Sequence, residues 1–230
     1  MSKGTVKQLG SIVELTVTKF GEQRREKKPP EEWTANETRL QNNIARAKRQ
    51  VKEIALCNPW EWFATLTISP DKYDRTNLDK FYSDFSEFIH HRASRPAYMV
   101  LPEFHADGVS IHLHGLFHSI PFRELEEING RLNWKPFFDR FGFSLFEPIR
   151  DPARASFYML KYVTKDAGQA VTRGKQIFRC SKGLKRAETL CSIDDIIQPE
   201  EYAAFVRDFE RLETKEFETD YIRRKTISQP

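Results

Sequence analysis

Two of the six histidines fall in the run Ile111-His112-Leu113-His114-Gly115-Leu116-Phe117-His118. The alternation of apolar and polar residues predicts a strand, whose successive side chains point to opposite faces. His112, His114 and His118 then share one face. Ile111, Leu113 and Phe117 share the other, the expected core face. Two imidazoles two residues apart on a strand can converge on one cation. A solvated strand face on which two histidines happen to fall is the plainer reading, and the pattern alone leaves both open. His105 and His118 read as satisfied surface or supporting histidines.

A third ligand is needed, and a hairpin offers one. Ala97 to His105 and Val109 to His118 read as strands, flanking Ala106-Asp107-Gly108. Asp-Gly between such runs is a strong signal for a tight turn. A two-residue turn pairs Ala106 with Val109 and, counting back, Glu103 with His112. Directly opposed residues share a face, with Cβ atoms about 4.5–5.5 Å apart. A longer turn would shift the register and carry Glu103 to the wrong face. Pro102 is an objection, because proline donates no ladder hydrogen bond and favours edges. A set of two imidazoles and a carboxylate suits Mn or Zn, and Mg when phosphate oxygens fill the remaining positions.

Tyr158 and Tyr162 stand four apart in Phe157-Tyr158-Met159-Leu160-Lys161-Tyr162-Val163-Thr164-Lys165. In a helix they lie on one face, and Lys161 and Lys165 repeat the spacing on an adjacent face. A phenol has a pKa of about 10 and is a poor nucleophile near neutral pH. A divalent cation on a phosphate and a lysine beside the phenol would both help it attack a phosphodiester. The covalent product keeps the bond energy, so the strand can be rejoined without ATP. The ordinary alternative is a pair of tyrosines packed on a core with their hydroxyls reaching water.

The elements that would position these residues can be read in outline. Asn36 to Leu56 lacks Gly and Pro and reads as a helix, with Asn36 as N-cap and Asn58-Pro59 as its stop. Trp62 to Ile68 reads as a central strand. Asn77 to about Ala93 carries apolar residues at helical spacing. Phe122 to about Leu132 is expected to be helical and Phe143 to Ile149 a strand. Pro152 opens a helix expected to run to Lys165. Gln176 to Cys180 is a candidate last strand, and Pro199 to about Thr219 a charged helix. Ile12 to Val17 could form a short strand within an otherwise polar start. Strands interleaved with helices predict an α+β fold, a central antiparallel sheet with helices packed on it.

The 230 residues carry 30% charged and 39% hydrophobic side chains, a globular balance with a net charge of +4. No run of 18 or more apolar residues occurs, and Met1 to Lys7 lacks the apolar core of a signal peptide. A cytoplasmic protein is expected, with no membrane partner. Cys57, Cys180 and Cys191 match no zinc knuckle and no disulfide framework. Lys161, Lys165, Arg173, Lys175, Arg179, Lys182, Lys185 and Arg186 crowd one stretch, which suits either nucleic acid or a solvated helix face.

These residues meet a known family. His112-Leu113-His114 resembles the His-hydrophobe-His motif of the HUH endonucleases. Tyr158 to Lys165, a tandem Tyr-x-x-Lys, resembles the two-tyrosine motif of their rolling-circle replication initiators, and Phe63-Ala64-Thr65-Leu66-Thr67 resembles the first motif. The order of the three also matches, and the resemblance covers roughly residues 60 to 190. It implies an endonuclease domain at 36–190, after a polar lead-in at 1–35 and before a helical extension at 191–230. It implies Mg2+ or Mn2+ on His112, His114 and, more loosely, Glu103. Tyr158 and Tyr162 match the nucleophiles, and Lys161 and Lys165 their lysines. Thr65, Thr67, Arg179, Lys182 and Lys185 are the expected DNA contacts. The implied reaction nicks single-stranded origin DNA, leaving a 5′-phosphotyrosine link and a free 3′-OH. No Gly-x-x-x-x-Gly-Lys-Ser/Thr occurs, so a host helicase and polymerase are the expected partners in a bacterial cell. A transposase or mobilisation relaxase on the same scaffold, a non-catalytic DNA-binding regulator and a metal-dependent hydrolase with structural tyrosines are the alternatives.

Overall fold

The computed structural model describes residues 2–19, 35–104, 111–164, 177–193, 213–218 and 222–228. In chain order the elements are β1 Ser2–Leu9, β2 Ile12–Lys19, α1 Ala35–Cys57, β3 Trp62–Ile68, α2 Leu78–His90, β4 Ala97–Phe104 and β5 Ile111–His118. There follow β6 Leu125–Ile128, β7 Arg131–Trp134, α3 Lys135–Arg140, β8 Gly142–Pro148, α4 Pro152–Met159, β9 Arg179–Cys180, β10 Glu188–Ile193, β11 Glu213–Glu218 and β12 Ile222–Ser228. They fall into two compact units, one of residues 34–184 and one of residues 1–33 with 185–230.

The larger unit is an antiparallel seven-stranded sheet in the order β6-β7-β8-β3-β5-β4-β9, with helices on it. It is an α+β fold of the expected kind. Alternation divides its two faces. Ala64, Leu66 and Ile68 of β3, with Ile111, Leu113 and Phe117 of β5, are buried against Phe81, Phe85 and Phe88 of α2 and Phe137 of α3. The opposite face presents Leu116, Met99 and Leu101 to Ile54 and Val51 of α1 and to Met159 of α4. Polar side chains close both helix starts that punctuate the sheet. The Asn77 side chain accepts from the Lys80 N–H at 3.0 Å, and Asp151, ahead of Pro152, accepts from the Arg154 N–H at 2.9 Å.

Glu103 pairs with His112 and Phe104 with Ile111, the register that a two-residue turn would set. The turn itself, with His105, Ala106, Asp107 and Gly108, lies outside the described residues. Pro102 is accommodated because β9 pairs with β4 only at Met99 and Val100. At Pro102 the strand is therefore an edge, where no ladder hydrogen bond is lost.

Three expectations need correction. Phe122 to Leu132 is not a helix: a 3-10 turn at Phe122–Glu124 leads into the β6–β7 hairpin. Asn129 and Gly130 take φ values of 53° and 72°, the left-handed pair that a two-residue hairpin turn requires. The helix from Pro152 ends at Met159, and Leu160–Tyr162 continues it as one 3-10 turn. Glu213–Glu218, inside the stretch expected to be helical, is a strand; the rest of that stretch before it lies outside the described residues.

The smaller unit is a five-stranded antiparallel sheet in the order β10-β1-β2-β12-β11. Its two N-terminal strands occupy the segment read as a lead-in, including the short strand expected at Ile12. Val6, Leu9, Val13 and Leu15 are buried in it.

One glycine is essential to the larger sheet. Gly142 opens β8 at a φ of 148°, and a Cβ there would lie 2.3 Å from the Thr67 carbonyl oxygen and 2.5 Å from the Ser69 nitrogen. Both obstacles are backbone and cannot rotate away. Gly142→Ala should cost about 3 kcal/mol or more. Chemical denaturation checks this, and a midpoint unchanged from the parent would contradict it.

Candidate active site

The face of the sheet shared by α1 and α4 also carries the histidines. In the β3–β5 ladder Thr65 stands opposite His114 and Thr67 opposite His112. Each threonine hydroxyl meets the Nδ1 of its partner, at 3.2 Å for Thr65 and 3.0 Å for Thr67. On the other side of β5, the Glu103 carboxylate lies 2.7 Å from His114 Nε2. Its register partner is His112, so Glu103 shares the face of both rings. Three neighbouring strands thus supply the five side chains, and period-two alternation is what puts them together.

The 3-10 turn after α4 lies over this face. Tyr162, 5% exposed, stacks its ring on His114 with centroids 3.9 Å apart and planes 12° from parallel. Phe63 stacks near the same imidazole at 6.1 Å, and the Tyr158 ring meets Phe63 edge-on at 5.5 Å. Two buried contacts hold α4 in place. Ser156 Oγ donates to the Ala55 carbonyl of α1 at 2.9 Å, and Met159 is wholly buried. The same carbonyl accepts from Trp60 Nε1 at 3.0 Å.

The two tyrosines are not equivalent. Tyr158 is 45% exposed, and the Lys161 ammonium donates to its hydroxyl. The hydrogen bond from Lys161, and then that from the Tyr162 hydroxyl, hold the Tyr158 phenol below its ordinary pKa. Tyr162 is pushed up, first by burial and then by donating to Tyr158. The Lys161 ammonium also lies 4.8 Å from the Tyr162 ring centroid. His114 is 8% exposed, and burial lowers its pKa despite the opposing pull of Glu103, which favours a neutral ring.

The structure therefore gathers Thr65, Thr67, Glu103, His112, His114, Tyr158, Lys161 and Tyr162. It does not bring Arg179 to them: Arg179 pairs with Val100, and its guanidinium lies 4.9 Å from the Tyr82 ring, on the α2 side of the sheet. Lys182 and Lys185 are exposed, and Lys185 falls in the smaller unit. Lys165 lies outside the described residues. His118 faces Glu61 at 3.3 Å. Sequence reasoning missed the threonine–histidine pairs. The signal was present in the alternation of Phe63-Ala64-Thr65-Leu66-Thr67, but it needed the β3–β5 register to be legible.

Whether this donor set fits a cation can be asked of the side chains. Among the described residues no three His, Cys, Asp or Glu side chains are gathered as a ready cluster for a metal ion. The chemistry of the set nevertheless suits one. Both Nδ1 atoms are engaged by hydroxyls that can accept a proton from them, which leaves each Nε2 as the ligating atom. A cation would have to replace the direct contact between Glu103 and His114.

Residues 61–167 match the family model of the replication-associated protein ORF2. The match spans β3 to the end of the tyrosine motif, so every gathered residue lies within it, and it supports a family of replication initiators. Neither comparison with curated proteins nor comparison with solved structures gives a significant match. No helix among the described residues is long and apolar enough to cross a membrane.

Proposed function

We propose that the chain is a replication initiator that nicks single-stranded origin DNA through Tyr158, assisted by Mg2+ or Mn2+ held by Glu103, His112 and His114. The observation that carries this reading is the stacking of Tyr162 on His114, which sets the tyrosine pair beside the imidazole and carboxylate groups. Two weak sequence patterns far apart in the chain become one site. A bound divalent ion would draw charge from the phosphate and stabilise the leaving oxygen.

The residues do the rest. Lys161 favours the phenolate of Tyr158, whose exposure leaves it open to a strand. The phenolate oxygen attacks phosphorus, the bond from phosphorus to the 3′ oxygen breaks, and that oxygen takes up a proton. The 5′ phosphate stays esterified to Tyr158, and the free 3′-OH primes synthesis. One phosphodiester replaces another, so reversal needs no added energy source. Tyr162, kept protonated by its burial, serves as the second phenol after Tyr158 is occupied. Lys165 has the spacing to hold the flanking phosphate. Host helicase and polymerase supply unwinding and synthesis. Incubation with circular single-stranded DNA of its own replicon and Mn2+ should yield a linear strand attached to protein. Failure with every such DNA would sink the reading.

Thr65 and Thr67 act through the histidines in this account. Thr65→Val and Thr67→Val keep the side-chain shape and remove the hydroxyl. Each should weaken Mn2+ binding about tenfold or more, the usual cost of losing the outer partner of a ligating histidine. Thr65→Ser should restore it. Spin-resonance titration of free Mn2+ reads the affinity without reference to cleavage. Unchanged affinity in both valine variants would show that the hydroxyls do not orient the rings.

A further inference from the structure

Four exposed side chains form one stripe along α4 and the turn that follows it: Arg154, Phe157, Tyr158 and Lys161. Their spacings of three and four make them neighbours on the surface. The opposite side of the segment is the buried one, with Ser156, Met159, Tyr162 and Val163. Phe157 is 42% exposed, and among the described residues it has no ring contact. Among the described residues no carboxylate pairs with the Arg154 guanidinium. Burying Phe157 as Met159 is buried would have been the stable choice for an apolar side chain. Here it stands in water, bracketed by two cations.

We infer that this stripe is a subsite for single-stranded nucleic acid, in which Phe157 stacks on an unpaired base next to the reacting phosphate while Arg154 and Lys161 hold phosphates on either side of it. The inference rests on the proposed function, because the strand must pass over Tyr158 for its hydroxyl to reach phosphorus. A strand laid there lies along α4 and meets Phe157 and Arg154. An aromatic face takes any unpaired base, and the cations match the backbone in charge. Duplex DNA keeps its bases stacked inside and offers Phe157 nothing, so the partner is a single strand.

The test uses the full chain in a Tyr158→Phe background, where binding can be measured without cleavage. Adding Phe157→Ala should weaken binding of a single-stranded oligonucleotide about tenfold and leave duplex binding unchanged. Phe157→Trp should restore the affinity, and its indole fluorescence should be quenched by the bound strand. Arg154→Ala should lower the salt dependence by about 0.7 in the slope of log K against log salt, the value of one phosphate contact. Thermal melting should be unaffected by Phe157→Ala, since the ring packs on nothing. Equal affinities for Phe157→Ala and its parent would overturn the inference, as would equal weakening on duplex or a parent that binds no single strand. If these arms succeed but the unsubstituted chain forms no covalent adduct, the subsite stands and the nicking falls. If the adduct forms and Phe157→Ala changes nothing, the subsite falls alone.

Discussion

Replacing Tyr158 with Phe should reduce covalent attachment to single-stranded DNA below detection, whereas Tyr162→Phe should retain the first cleavage. The asymmetry follows from surroundings, since the two phenols are chemically the same. Tyr158 is exposed and in contact with an ammonium group that favours its ionised form. Tyr162 is buried, donates to Tyr158 and is held face to face with His114. Loss of a nucleophile removes the whole covalent route, and such losses reach several orders of magnitude. Tyr162→Phe keeps the ring and the stack and removes only the hydroxyl. Single-turnover cleavage should then proceed, slowed by the lost hydrogen bond to Tyr158, while transfer to a second strand stops. First cleavage retained in Tyr158→Phe and lost in Tyr162→Phe would reverse the order.

His114→Ala should abolish cation-dependent cleavage, by about a thousandfold or more, and leave single-strand binding within about threefold. His114 has three partners: Thr65 at Nδ1, Glu103 at Nε2 and the Tyr162 ring on its face. Alanine removes all three and opens a gap below Tyr162. The binding stripe on α4 faces away from that gap, so affinity for DNA should survive. Cleavage and binding lost together, with a collapsed melting temperature, would show that His114 only supports the fold. Glu103→Gln separates the two further. Its amide can still hydrogen-bond His114, but it carries no charge for a cation, so cleavage should fall while the melting temperature holds.

Much of the larger unit was legible because its signals are local. Strand β3 was read from Trp62 to Ile68, the bounds it has. Asn77 and Pro152 announced helix starts because a cap and a fixed φ act within a few residues. The strand pair carrying Glu103, His112 and His114 followed from Asp107-Gly108 and simple counting. The same rule went unused at Asn129-Gly130, where Leu125 to Leu132 was read as a helix from composition. The left-handed pair of residues there decides for a hairpin. Strands β11 and β12 were illegible for another reason. Strand β12 pairs with β2 across almost the whole chain, and no local pattern encodes such a partner. The site divides likewise. Faces of strands and helices could be counted, but the layer that lays Tyr162 on His114 depends on α1, Ser156 and Met159, which no motif contains.

The most direct measurement of the account is the site of covalent attachment. The full chain is reacted with single-stranded origin DNA and Mn2+, digested with nuclease and protease, and the peptides are weighed. The account predicts a nucleotide esterified to Tyr158. DNA cut with a free 5′ phosphate and no peptide attached would mean that water is the nucleophile, and the tyrosine mechanism would be wrong.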